Sequence, residues 1–217
     1  MIVEVHRRPL RPPAAAEWDL LDPLEVERAA GFRFDDDRRR FVLAAALVRD
    51  VVAERLALPV EAIGLDRSCD DCGRPHGRPV VVTDADEPPH VSISHAGGWV
   101  VVAVADAPVG VDVEETSRWS DAVAQLVDQV AAPGETIPID DGGSAFFSAW
   151  TRKEAVLKAT GDGLRVAMRE VRIGATESEV GGRRYPSRVE AFEVGPGHVG
   201  AVAVLDDQPL EVRLLER

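Results

Sequence analysis

Two cysteines in 217 residues, Cys69 and Cys72, are too few for a disulfide framework. Basic residues are also in short supply. The chain has 25 Lys and Arg against 38 Asp and Glu, and the net charge of −13 argues against a nucleic-acid binder, because phosphate affinity needs basic surface. No apolar run reaches the ~18–20 residues of a membrane span. The opening MIVEVHRRPLRPP has no hydrophobic signal region followed by a cleavage site. These absences predict a cytoplasmic protein with no membrane segment and no nucleic-acid partner. What is present is a hydrophobic content of 45%, enough to build a core in one large domain or two small ones. An acidic protein partner could dock on such a chain only at a locally basic or apolar patch.

The order of elements reads as α/β. Ile2–His6 alternates as a first strand. Asp22-Pro23 has the form of an N-cap with proline at the first helical position, opening a helix over 24–30 that Gly31 ends. Residues 35–56 give the longest helical signal, with Phe41, Ala45, Val48, Val52 and Leu56 on one face. Arg38, Arg39 and Arg40 cluster at its start, either paired with Asp35–Asp37 or poised for a phosphate. Arg49, set among alanines and valines, needs a partner. CDDCGRPHGRP at 69–79 is a loop. Its C-x-x-C, even with His76, lacks the fourth ligand of a structural zinc site, and it reads better as a proline-fixed loop that presents Arg74, His76 and Arg78. HVSISHAGGWVVVAVA at 90–105 is a hairpin turning at Ala96-Gly97-Gly98, with Ser94 and His95 at one end. After residue 188 the layout of strand, glycine turn, strand, turn, strand recurs. Two similar lobes are expected, 1–105 and 106–217. Each is a small, mostly antiparallel sheet packed with a long helix, the lobes are related by a pseudo-twofold, and the cleft between them forms a ligand site. Residues 115–143, rich in acidic and turn residues, are expected to be mobile around a helical piece at 121–130.

Two stretches in the second lobe carry chemistry. In FFSAWTRKEAVLKATGDGL, 146–164, Phe146, Trp150 and Leu157 make an apolar stripe, and Thr151, Glu154 and Lys158 a polar strip beside it. Gly161 and Gly163 follow where a left-handed cap needs glycine. A carboxylate and an amine one turn apart are either a surface ion pair or part of a site. In PVGVDVEE, 108–115, valines alternate with Gly110, Asp112 and Glu114. Two carboxylates on one strand face lie ~6.5–7 Å apart at Cα. They are either a solvated face or two oxygen ligands for one hard cation such as magnesium, with Glu154 as a third.

Taken together, GVDVE at 110–114, WTRKEAVLKATGDGL at 150–164, SISHA at 92–96, GRP at 77–79 and the arginine-led helix at 40–49 resemble the 4′-phosphopantetheinyl transferases of the two-lobed Sfp type. The resemblance spans nearly the whole chain. It implies a monomeric enzyme that uses Mg²⁺ to move phosphopantetheine from coenzyme A to a serine hydroxyl of an apo carrier protein of peptide, polyketide or fatty acid synthesis, releasing 3′,5′-ADP. Carried over by position, Asp112, Glu114 and Glu154 hold the metal, and Glu154 is ligand first and base second. Lys158 contacts the reacting phosphate and can protonate the leaving group. Lys153 assists with phosphate. Arg40, Ser94 and His95 bind coenzyme A phosphates, while Arg78 and Pro79 line the adenine end. Arg78 stands where the family commonly has lysine, and residues 115–143 lack an obvious family helix ending in its usual acidic residue, for which Glu135 is a loose substitute. The residues by themselves also admit a magnesium-dependent phosphohydrolase acting on coenzyme A or nucleotides, or a non-catalytic coenzyme A-binding module.

Overall fold

The computed structural model describes residues 1–217 other than 70, 76, 140 and 141, so the suggested role of His76 lies outside the described residues. The strands are β1 (Ile2–Pro9), β2 (Gly64–Asp66), β3 (Val80–Val82), β4 (His90–Ala96), β5 (Trp99–Ala105), β6 (Val109–Glu115), β7 (Val171–Ile173), β8 (Glu177–Val180), β9 (Arg183–Pro186), β10 (Arg188–Gly195), β11 (His198–Val204) and β12 (Glu211–Glu216). The helices are α1 (Ala15–Asp19), α2 (Pro23–Ala30), α3 (Asp35–Leu56), α4 (Asp121–Ala124), α5 (Val127–Val130) and α6 (Ser144–Thr160).

Local sequence sets the two long helices. In α3 the first turn carries Asp35, Asp36 and Asp37, which suit the positive end of the helix dipole. Each pairs with the arginine three residues on: Asp35 with Arg38, Asp36 with Arg39 at 3.1 Å and Asp37 with Arg40 at 2.9 Å. Arg49 finds its partner in Glu25 at 2.8 Å, with both side chains buried. Glu25 also closes the capping box with Asp22 that starts α2. Helix α6 stops at Gly161, whose φ of 79° is left-handed and whose N–H donates to Leu157 O at 3.1 Å. The next residues, Gly163–Arg165, turn as a 3₁₀ segment rather than extending the helix.

The same strand order appears twice. One sheet runs β12-β1-β5-β4 and another β10-β11-β6. Thus β4–β5 with β1 and β10–β11 with β6 are matching antiparallel triplets, and β12 adds to the first as a parallel edge strand. Helix α3 covers the outer face of the first sheet through Leu43, Leu47, Val51 and Val52 against Val91, Val100, Val102 and Val104. Helix α6 covers the second through Ala155, Val156 and Ala159 against Ala201 and Ala203. The inner faces meet through Val3, Val5, Val101, Val111, Val113 and Val202, a valine-rich layer of the kind β-branched residues favour. This is the two-lobed α/β fold, layered helix, sheet, sheet, helix.

Several elements differ from the sequence-based expectation. The helical piece at 121–130 is two short helices, because Leu126 interrupts the regular pattern. Besides the two-stranded β2-β3 sheet, a further sheet, β7-β8-β9, fills residues 171–186 beside α6, where no strand was anticipated. The segment ahead of α6 is anchored by Trp119, which packs on Phe146 and Phe147 with ring centroids 5.7 and 6.3 Å apart.

One contact fixes how close α6 comes to β6. A Cβ built on Gly110 would lie 1.9 Å from Ala155 O and 2.6 Å from Ala159 N, so strand and helix backbones touch where only hydrogen fits. Gly110→Ala is therefore expected to lower stability by about 1–3 kcal/mol or more. Gly98→Ala, at a position with open space, should leave it within error. Urea unfolding of both variants checks this.

Candidate active site

The site forms where β6, the edge of the second sheet, runs beside β4, the edge of the first. No backbone ladder joins the two. Serine side chains bridge them instead: Val111 N–H donates to Ser92 Oγ at 3.0 Å and Val113 N–H to Ser94 Oγ at 3.2 Å. Ser94 Oγ in turn donates to Asp112 Oδ1 at 2.9 Å. Ser94 was expected at a coenzyme A phosphate, but its buried hydroxyl is used to hold Asp112 in place. Ser92 was not singled out from the sequence. Its signal was the period of two that puts it on the same strand face as Ser94.

Helix α6 adds the other half. Lys158 Nζ donates to Asp112 Oδ1 at 2.7 Å, to Val111 O at 2.9 Å and to Ile93 O at 3.4 Å, so one ammonium spans both strands. Asp112 is 6% exposed, and its Oδ2 is buried with no hydrogen-bond partner. Glu114 Oε2 accepts from Arg118 Nη1 at 2.7 Å. Glu154, half-buried, shares this environment. Burial, then the charge of Asp112, raises its pKa above the ordinary carboxylate value, with Lys158 opposing and Glu114 adding. Glu114 is raised in the same way by burial and then by Asp112, against Arg118 and Lys158. Asp112, Glu114, Glu154 and Lys158 are thus brought together. They are not pre-assembled for a cation: no three ligating side chains converge tightly enough to hold one among the described residues. Lys158 pairs with Asp112 and Arg118 with Glu114, both at 2.7 Å.

Around this centre, Arg40 donates from Nε and Nη2 to Gly97 O at 3.0 and 2.7 Å, next to the turn that carries His95. The His95 imidazole is held below its ordinary pKa first by crowding and then by the charges of Arg40 and Lys158. Arg78 Nη1 donates to Ala159 O at 3.2 Å, tying the 69–79 loop to the end of α6. With Pro79, Pro88, His90 and Val109, Arg78 lines a cavity of about 130 Å³. A larger cavity of about 540 Å³ opens on the other side of Glu154, between Leu126, Gln129 and Val130 and the 166–169 turn, with Trp150 and Leu157 beside Glu154.

Two expected members of the polar set face elsewhere. Thr151 is buried and donates to Ser148 O at 3.2 Å within the helix. Lys153, expected beside a phosphate, is 2% exposed. Its Nζ donates to Val130 O at 2.6 Å, Glu135 Oε2 at 2.5 Å and Met168 O at 3.4 Å. Adjacent helical residues point about 100° apart, so Lys153 and Glu154 face different surroundings.

Comparison with known proteins gives a consistent picture. Residues 108–202 match the 4′-phosphopantetheinyl transferase superfamily, and residues 8–107 match a family described as 4′-phosphopantetheinyl transferase, N-terminal. The chain is 32% identical over 185 residues to 4′-phosphopantetheinyl transferase psf-1 of Bacillus pumilus, covering 81% of this chain and 76% of that one. It is 25% identical over 203 residues to 4′-phosphopantetheinyl transferase Sfp of Bacillus subtilis (strain 168), covering 90% and 87%. It is 29% identical over 215 residues to 4′-phosphopantetheinyl transferase HetI of a Nostoc species, covering 93% and 87%.

The raised carboxylates have a testable consequence. Between the ordinary value of 4.5 and the raised one, the folded state holds more protons than the unfolded, so stability falls as pH rises through that window. Glu154→Gln removes one repelling charge. It should raise the melting temperature at pH 8, change it little at pH 4, and flatten the pH dependence between, as followed by thermal unfolding across that range.

Proposed function

Because the chain belongs to the 4′-phosphopantetheinyl transferase superfamily, we propose that its cleft moves phosphopantetheine from coenzyme A onto a serine hydroxyl of an apo carrier protein, releasing 3′,5′-ADP. The observation that carries this at the level of residues is the junction of β6 and α6. Three acidic side chains and one ammonium from two elements face one cleft there, at a distance that Gly110 sets.

The donor set fits magnesium. Carboxylate oxygens are the hard ligands it prefers. Asp112 Oδ2 is a buried acceptor lacking a partner, and burial and the charge of Asp112 both raise the pKa of Glu114 and of Glu154. Asp112, Glu114 and Glu154 would hold the ion. Bound there, magnesium supplies charge neutralisation to the pyrophosphate and the leaving 3′,5′-ADP.

The chain's own residues do the rest. Arg40 and His95 frame one side of the cleft and take coenzyme A phosphates. Ser94 serves them indirectly by fixing Asp112. Arg78 and Pro79 stand at the adenine end. In the transfer, the serine oxygen forms a bond to the phosphorus that carries the pantetheine arm as the bond from that phosphorus to the 3′,5′-ADP oxygen breaks. The serine proton needs an acceptor, and Glu154 is the carboxylate in the cleft that would take it, as a role second to holding the metal. Lys158, with its side chain 28% exposed beside Asp112, offers its ammonium to the charge that develops on the leaving oxygen. A monomer is proposed on the family resemblance alone. Coenzyme A as co-substrate suits the cytoplasm. No helix among the described residues is long and apolar enough to cross a membrane.

Incubation with coenzyme A, Mg²⁺ and a panel of apo carriers, read by intact mass, tests this. One phosphopantetheine should be gained on at least one carrier, and chelation with EDTA should abolish the gain. Asp112→Asn and Lys158→Ala should each slow it by about 10²–10³-fold. Hydrolysis of coenzyme A with no carrier modified would overturn the reading.

A further inference from the structure

The chain contains two lysines only, Lys153 and Lys158, five residues apart on the same helix. Lys158 opens onto the cleft and Lys153 does not. Its three N–H donors are matched by three acceptors, and each acceptor belongs to a segment that borders the 540 Å³ cavity or braces its border. Val130 stands on one wall and Met168 on the opposite one. Glu135 locks the chain just past Val130, since its Oε2 also accepts from Ala132 N–H at 2.7 Å. The floor between the walls includes Glu154, the residue next to Lys153.

We propose that Lys153 is a positioning residue. With Glu135 it clamps both walls of this cavity to α6, so that the group entering the cavity is presented to Glu154. The proposal rests on the transferase reading. The lining is mostly apolar, with Leu126, Val130, Trp150, Leu157, Val166 and Met168, and Gln129, Glu154 and Arg169 are its polar members, so it suits a largely apolar group next to the scissile phosphate. That group is either the arm of coenzyme A or the surface of the carrier around its serine.

The test compares wild type, Lys153→Met, Glu135→Gln and Glu135→Ala. Binding of 3′,5′-ADP, which has the phosphates but not the arm, is measured by calorimetry. Transfer is measured with the concentrations of coenzyme A and of the carrier varied separately. Lys153→Met and Glu135→Ala are expected to lower kcat/KM by about 10–100-fold while 3′,5′-ADP affinity stays within about twofold. Glu135→Gln, which keeps an acceptor, should lose far less. A raised KM for coenzyme A assigns the cavity to the arm, and a raised KM for the carrier assigns it to the acceptor; either supports the clamp. Loss of 3′,5′-ADP affinity in step with transfer makes Lys153 a phosphate ligand and overturns it. So does a melting temperature that falls while kinetics at 20 °C hold. Should Lys153→Met not fold, the two Glu135 variants decide, because that side chain is 37% exposed on the clamp's outer edge. A wild-type protein that modifies no carrier overturns the transferase reading itself and the clamp with it. An active wild type with unaffected variants overturns the clamp alone.

Discussion

Everything in the site depends on one missing methyl group. Helix α6 lies against β6 so closely that Ala155 O occupies the space a Cβ on residue 110 would need. That approach lets a lysine on the helix reach a main-chain carbonyl of the strand, Val111 O, and the carboxylate next to it, Asp112, with one nitrogen. A helix held off by a side chain at 110 would leave Lys158 and Glu154 facing the strand across a wider gap, where their charges would interact mainly with water. The small residues along the helix face, Ala155 and Ala159, serve the same end. Small side chains at the contact set the distance, and the distance sets the electrostatics.

Those electrostatics are unfavourable by design of the fold. Three carboxylates and one lysine leave a net negative charge in a partly desolvated cleft, and the raised pKa values of Glu114 and Glu154 are the direct sign of it. Lys158 and Arg118 relieve part of the repulsion, but Asp112 Oδ2 remains buried and unpaired. A buried acceptor without a donor costs stability that any suitably placed cation would recover. The arrangement gives up folding stability to keep an oxygen-rich position receptive, as functional sites do when local chemistry and local stability conflict.

Most of this was legible in the sequence, for reasons that differ by element. Helix α3 was recoverable to the residue because its apolar face, its acid-rich start and its arginine pairing all give the same answer. The GVDVE strand was legible because period-two alternation separates the valines from Gly110, Asp112 and Glu114, and the structure keeps that division. Pairings of strands far apart in sequence were not. Nothing local in Glu211–Glu216 says that it will lie parallel to Ile2–Pro9, since register there comes from a partner some two hundred residues away. Strands β7 to β9 were missed because they are only three or four residues long and rich in Arg and Glu, so neither period nor apolar content marks them. The surroundings of Lys153 were not legible for a further reason. A motif read as a string places neighbours together, whereas a helix turns them onto different faces.

The exchange of strands carries a consequence for how the cleft is held. Cutting the chain between 105 and 106 divides its residues evenly but not its core. Val3, Val5 and Val101 pack in one cluster with Val111, Val113 and Val202, and β12 returns from the second half to finish the first half's sheet. Arg7 on β1 also donates to Val194 O on β10, much as the Ser92 and Ser94 hydroxyls link β4 to β6 across the matching junction. Two lobes joined by a shared apolar layer and two side-chain seams cannot hinge apart as rigid bodies without exposing valine surface, at about 25 cal/mol for each Å². The relative placement of Asp112 and His95, which sit on either side of one seam, is therefore a property of the core. Substrate entry by a hinge between the lobes would therefore have to break this layer and both seams.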